Sequence, residues 1–248
     1  MLRDRVVILT HALHFVGPRT GGVLAGHGAT VVCHDAAFAD PAARDRFAAE
    51  NPTLSAARAT EPEDLVAEVM AAHGRVDVLV SNDTYPAVRR PVDETPAGEA
   101  PGDEMRRALE SLVVWPHRLI GAAVPHMKAR GAGKVLMVTS AAPLRGLANY
   151  SMYAAARGAG NALVKSLSLE LAAANIQVNA IAPNYIENPT YFPPALLADE
   201  AAMAKMLRNI PAKRLGKPEE VAELIAFFAS DLCGFVTGHV VPVSGGWA

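Results

Sequence analysis

Ser140, Tyr153 and Arg157 are the residues of this chain whose types and spacing could do chemistry together. Tyr153 and Arg157 stand at i and i+4, so on a helix their side chains share one face and can meet. Ser140 ends an apolar run upstream and can face the same spot from a strand. A phenol beside a permanent cation can serve as a base. A free phenol ionises near about pH 10, so bringing one to neutrality takes roughly 3 units, or about 4 kcal/mol. A cation within a few ångströms typically supplies about 1–3 of those units. Arginine suits the task because it stays charged when desolvated, whereas a buried lysine readily loses its proton. A serine hydroxyl can then hold a substrate oxygen in line with the base. Surface i, i+4 pairs are common, so the setting matters. Small Ala154, Ala155, Ala156, Gly158, Ala159 and Gly160 let this helix face press close against other backbone.

The elements that must position these residues follow from an alternation of short apolar runs and longer amphipathic stretches. Residues 6–10, 30–33, 76–80, 134–139, 177–181 and 240–243 read as buried strands. Residues 21–28, 42–50, 62–72, 103–128, 150–174 and 218–229 read as helices, with Pro62 and Pro218 suited to first turns. Such alternation demands an α/β fold, a doubly wound parallel sheet with right-handed crossovers and helices on both faces. A chain of 248 residues can fill it as one domain, 1–248. Two stretches break the rhythm. Residues 89–102, rich in proline and glycine, read as a surface loop. Residues 184–199, rich in proline and aromatics, follow a strand. Ligands in open α/β sheets bind beyond the carboxyl ends of the strands, which makes this stretch a candidate pocket wall.

The turn after the first strand reads Thr10-His11-Ala12-Leu13-His14-Phe15-Val16-Gly17. A dinucleotide needs glycines there, so that backbone can approach a pyrophosphate at a helix N-terminus. Only Gly17 remains, and Leu13, His14 and Phe15 fill space where a cofactor would lie. No cofactor is expected; a divergent turn that still binds nucleotide is the alternative. Asp35 reads as a helix cap or structural remnant rather than a ribose-binding acid. Apolar residues make up 51% of the chain, which supports a folded globule, and a formal net charge of −2 gives no case for nucleic acid or an anionic membrane. Cys33 and Cys233, in apolar contexts without metal-ligand spacing, read as reduced core residues. The eight histidines, His11 and His14 among them, form no zinc pattern, and no metal is expected. The apolar run 6–9 is too short for a signal peptide and nothing later reads as a membrane span, so a cytoplasmic protein is expected.

Three further stretches carry a resemblance: Val78-Leu79-Val80-Ser81-Asn82-Asp83, Asn179-Ala180-Ile181-Ala182-Pro183, and Thr237-Gly238 with Gly245-Gly246. With them the chain resembles the short-chain dehydrogenase/reductase superfold from end to end, which implies a Rossmann-like sheet. It departs from the dehydrogenases in two ways. Arg157 replaces their lysine, and no asparagine occurs from Thr84 to Ala148, so the asparagine of the usual tetrad is missing. Within the superfold it is most similar to the halohydrin dehalogenases. The matches are Phe15 in the degraded turn, Ser140, Tyr153 and Arg157 at the family's spacing, and Pro183-Asn184-Tyr185 with Tyr191-Phe192.

That resemblance implies cofactor-independent ring closure of a vicinal haloalcohol to an epoxide, with release of halide and a proton. It implies the reverse too, epoxide opening by halide, azide, cyanide or nitrite. Tyr153 would be the base, Arg157 its cation and Ser140 the hydroxyl that holds the substrate oxygen. Backbone N–H groups around Asn184, Tyr185 and Ile186, next to Pro183 and walled by Phe15 and Phe192, are the halide-site candidates. Asn184 would tolerate a left-handed turn conformation. Pro86, Leu147 and Tyr191 are placed at the substrate end. The alternative for the aromatics is plain loop packing. Relatives pair their two long helices between subunits, so a homotetramer is implied. Two competing readings stand: an NAD(P)-dependent oxidoreductase with arginine in place of lysine, and a non-catalytic binding or regulatory member.

Overall fold

The computed structural model describes residues 1–189 and 191–248; Thr190, inside the predicted 184–199 stretch, lies outside the described residues. Seven parallel strands form one sheet in the order β3-β2-β1-β4-β5-β6-β7. They are β1 Val6–Leu9, β2 Thr30–Cys33, β3 Leu54–Ala56, β4 Val78–Ser81, β5 Gly133–Val138, β6 Ile176–Pro183 and β7 Val240–Val243. The connecting helices are α1 Gly17–Gly26, α2 Pro41–Glu50, α3 Pro62–His73, α4 Asp103–Leu109 and α5 Trp115–Arg130. After them come α6 Ala142–Arg145, α7 Ser151–Leu171, α8 Pro194–Leu197, α9 Glu200–Leu207 and α10 Pro218–Ala229.

The strands are continuously apolar because both faces of the sheet are covered. In β1, Val7 and Leu9 enter the core layer shared with α1 and α10. Val6 and Ile8, on the other face, join the layer under α3, α5 and α7. Two structural differences from the sequence reading have local causes. The edge strand β3 is only three residues long and alternates buried Leu54 with exposed Ser55, too little pattern to read. The predicted helix 103–128 is interrupted by a π-turn, Glu110–Val114, between α4 and α5. Leu112 in that turn packs with Ala108 and Ala156, and Ser111 Oγ donates to Thr84 O at 3.1 Å.

Residues 89–102 carry neither helix nor strand, as their composition predicts. The described part of 184–199 folds back on itself. Phe192 forms a small apolar cluster with Ile210 and Leu215, and Tyr185, Tyr191 and Leu196 pack against it. Cys33 and Cys233 are free and buried. Burial pushes the Cys33 thiol up to about 12, so it behaves as an apolar core group.

Candidate active site

Ser140 stands two residues beyond β5, at the carboxyl edge of the sheet. Thr139 N–H donates to Ile181 O at 2.8 Å and Ala141 N–H donates to Pro183 O at 3.1 Å, which fixes the backbone on both sides of it. Its Oγ accepts the Ala142 N–H at 3.1 Å. The hydroxyl proton is therefore left to donate elsewhere.

Tyr153 and Arg157 lie in the first turns of α7, on one face. Ala156 is fully buried, and Gly160 lies against the residue after β5, where a Cβ would meet Thr139 Cγ2 at 3.4 Å, an ordinary contact. Ala155 is exposed, so the small-residue run serves packing only in part. Arg157 Nε donates to Tyr153 Oη at 3.2 Å, and its Cζ lies 5.4 Å from the phenol ring centroid. Nη1 donates to Asp83 O and to Val138 O, each at 3.0 Å. Arg157 is only 5% exposed. Three bonds thus hold a buried guanidinium in place, one of them on the phenol oxygen.

Behind Arg157 is an arrangement that sequence reasoning missed. The Asp83 carboxylate, itself buried, accepts from Thr10 Oγ1 at 3.0 Å, from Ser81 Oγ, and pairs with His11 Nδ1 at 2.9 Å. Burial opposes a charged His11 imidazole, but Asp83 and the more distant Asp35 outweigh it and raise its pKa above the ordinary value. His34 behaves oppositely: burial, with His11 nearby, lowers its pKa, and its ring stacks on Trp115 at 5.0 Å.

A cleft of about 310 Å³ opens over Ser140 and Tyr153. Phe15, Leu147, Pro183, Asn184, Tyr185, Ile186, Tyr191 and Phe192 all line it. Arg157 stands behind Tyr153 rather than in the wall. Pro86 is outside the lining, and its neighbour Ala87 takes the place assigned to it. The lining also includes Ala142, Tyr150 and Asn188. Asn188 organises the loop, donating to Ile186 O at 2.8 Å and accepting the Tyr191 N–H at 2.9 Å. The dipeptide Asn188-Pro189 is a turn signal that points to it. The Tyr191 hydroxyl reaches Tyr85 O at 3.5 Å, and burial, with Tyr153 nearby, pushes the Tyr191 phenol up.

The left-handed residue of this segment is Tyr185, with φ of 57°, and not Asn184. Asn184 instead supplies the acceptor, its Oδ1 taking the Tyr185 N–H at 3.0 Å. The Ile186 N–H has no acceptor among the described residues.

The β1–α1 turn fits a dinucleotide poorly. Leu13 N–H donates to Asp35 Oδ2 at 3.1 Å, and Asn82 Nδ2 donates to both His11 O and His14 O at 3.0 Å. Those bonds occupy the turn with its own side chains. Asp35 also caps a short 3₁₀ turn through Ala37 N–H at 3.1 Å, the structural role its position suggests. Among the described residues no group of three His, Cys, Asp or Glu side chains converges on a point. Nor is any helix long and apolar enough to cross a membrane.

Comparison with known proteins gives two kinds of relative. A family profile described as enoyl-(acyl carrier protein) reductase matches residues 16–248. A solved structure named as a dehalogenation enzyme is 47% identical, covers 100% of both chains and superposes with a TM-score of 0.93. A halohydrin dehalogenase bound to ethyl (2S)-oxiran-2-ylacetate is 35% identical over 97% of this chain and 96% of its own, with a TM-score of 0.91. The cis-4-hydroxycyclohexanecarboxylate dehydrogenase of Sinomonas cyclohexanicum is 36% identical over 98% of this chain and 96% of its own.

Proposed function

From the premise that this chain belongs to the short-chain dehydrogenase/reductase family, with halohydrin dehalogenases among its structural relatives, we propose that it closes vicinal haloalcohols to epoxides. The observation that carries the reading is the buried Arg157 guanidinium donating to Tyr153 Oη, beside Ser140 in one cleft.

The substrate hydroxyl sits between Ser140 Oγ and Tyr153 Oη. Ser140 donates to the substrate oxygen, and Tyr153, as phenolate, takes the hydroxyl proton. The substrate oxygen attacks the neighbouring carbon, a C–O bond forms, and the C–X bond breaks with its electron pair leaving on halide. Tyr153 then passes its proton to solvent. Halide departs toward the Ile186 N–H, between Phe15 and Phe192, whose polarizable faces suit a large, weakly hydrated anion. Microscopic reversibility gives epoxide opening by small anions from the same site. Loop 184–199 acts as the substrate and halide wall in this reading. A homotetramer would cover apolar side chains such as Leu169 on α7, which is 84% exposed.

The test is cofactor-free. Purified protein is given 1,3-dichloro-2-propanol, and halide and proton release are followed, with Tyr153→Phe as matched control. Release that disappears in the variant supports both the reaction and the base. A second reading, an NAD(P)-dependent oxidoreductase, is favoured by the 36% identity to a dehydrogenase. No release from several haloalcohols, together with nicotinamide-cofactor binding, would favour that one.

A further inference from the structure

We infer that Arg145, laid across Trp247 next to the cleft-wall residue Tyr185, is the residue that attracts and holds the small anion there. The inference rests on the haloalcohol reading for its turnover arm only; its binding arm stands by itself.

Among the described residues no charged side chain lines the cleft. Two guanidiniums lie outside its lining, each in contact with an aromatic side chain. Arg157 lies behind Tyr153, bonded to its hydroxyl and outside the cleft wall. An anion at the Tyr185–Ile186 wall therefore meets no charged side chain of the lining itself. Arg145 ends α6, the short helix that follows Ser140, so the same segment that holds the substrate oxygen carries this cation. Its Cζ lies 4.9 Å from the Trp247 ring centroid, and its Nη1 donates to Trp247 O at 3.2 Å. It makes no ion pair among the described residues.

Trp247 links that cation to the halide candidates. Its ring meets Tyr185 edge-on at 5.9 Å, and it is only 7% exposed. Tyr185 is the residue in the left-handed conformation, directly before the Ile186 N–H. Burial pushes the Tyr185 phenol up, while the charge of Arg145 opposes that, so Arg145 is close enough to act electrostatically on this wall. An indole face holds a guanidinium without neutralising it, unlike a carboxylate. The outcome is an exposed positive charge with no carboxylate side-chain partner among the described residues, beside an aromatic wall. It favours entry of azide, cyanide or nitrite, and it keeps a departing halide only loosely bound.

The chain contains two tryptophans, which makes binding readable without turnover. Sodium iodide is titrated at constant ionic strength while tryptophan fluorescence is followed. Saturable quenching is expected, and Trp247→Phe should remove it. Arg145→Gln should weaken the apparent iodide affinity by roughly threefold to tenfold, while Arg145→Lys keeps most of it. In epoxide opening, Arg145→Gln should raise the KM for azide more than the KM for the neutral epoxide and flatten the salt dependence of the azide reaction. Melting curves establish that each variant is folded. Quenching that never saturates, or an Arg145→Gln affinity equal to that of the parent, overturns the inference. Saturable, Arg145-dependent iodide binding without any haloalcohol turnover sustains the anion site and removes the dehalogenase reading instead.

Discussion

Arg157 makes three hydrogen bonds, and only one of them points at Tyr153. The other two tie it to backbone carbonyls of Asp83 and Val138. A lysine ammonium is a single point charge and cannot span that spread of acceptors as a guanidinium does; burial also makes it easier to deprotonate. Arg157→Met should lower kcat/KM for halide release by about 10²–10⁴-fold, the range expected when a base loses its activation. Arg157→Lys should fall between that variant and the parent. A methionine variant that turns over normally would remove Arg157 from the mechanism. His11 gives a second prediction at this scale, about stability. Asp83 raises its pKa above 6.5 in the folded protein despite burial and the opposing charge of Arg157; Asp35, His14 and His34 face it as well. A raised folded-state pKa stabilises the fold fully below the unfolded value and loses that contribution as pH rises through the folded value. The urea midpoint of the parent should therefore fall, relative to His11→Asn, between about pH 5.5 and about pH 9. Parallel midpoints at both pH values would show the dyad to be silent.

At the scale of elements, the β1–α1 turn adopts backbone conformations that suit glycine with residues of another kind. His11 and Phe15 take positive φ values of 45° and 51° where glycine would be easier. Gly17 survives for packing: a Cβ would stand 2.5 Å from His11 O and 2.9 Å from Ala12 Cα, both backbone atoms. Gly17→Ala should cost about 1–3 kcal/mol of stability, measured by urea unfolding, because neither atom can move aside. What could be read in advance divides along the same lines. Strands buried on two faces announce themselves as apolar runs, and the Tyr153–Arg157 pair follows from helical spacing. The Asp83–His11 pair spans 72 positions and leaves no local trace. Local propensity points to Asn184 for the left-handed turn, whereas the positive φ falls on Tyr185, whose N–H donates to Asn184 Oδ1. The π-turn was invisible because the apolar periodicity of 103–128 runs through it.

For the whole molecule the question is whether a sheet whose relatives include dehydrogenases still accepts a dinucleotide. The order β3-β2-β1-β4-β5-β6-β7 reverses beside β1, and such a reversal opens a crevice at the carboxyl ends of β1 and β4. Here Asn82, His11 and His14 bond to one another across that crevice, and Phe15 joins the wall of the cleft instead. Trp115 lies on His34 beyond them. The groove outside keeps two cations, but Arg19 pairs with Glu219 at 3.0 Å and Lys217 with Glu187 at 2.7 Å, so neither is unpartnered for a pyrophosphate. NADH or NADPH at a concentration about 100 times an ordinary dissociation constant would stabilise a binding protein by about 2.7 kcal/mol. For a chain of this size that is a rise in Tm of roughly 5–10 °C. The expected rise for this protein is none, with either cofactor, whereas iodide or azide should raise Tm modestly. A nicotinamide shift of the full size would mean that the turn opens, and that the cleft over Tyr153 is the remnant of a hydride-transfer site. No nicotinamide shift together with an anion shift would mean that the crevice has been given over to packing, leaving the Tyr153 phenol and the Arg157 guanidinium to act on a substrate that carries its own leaving group.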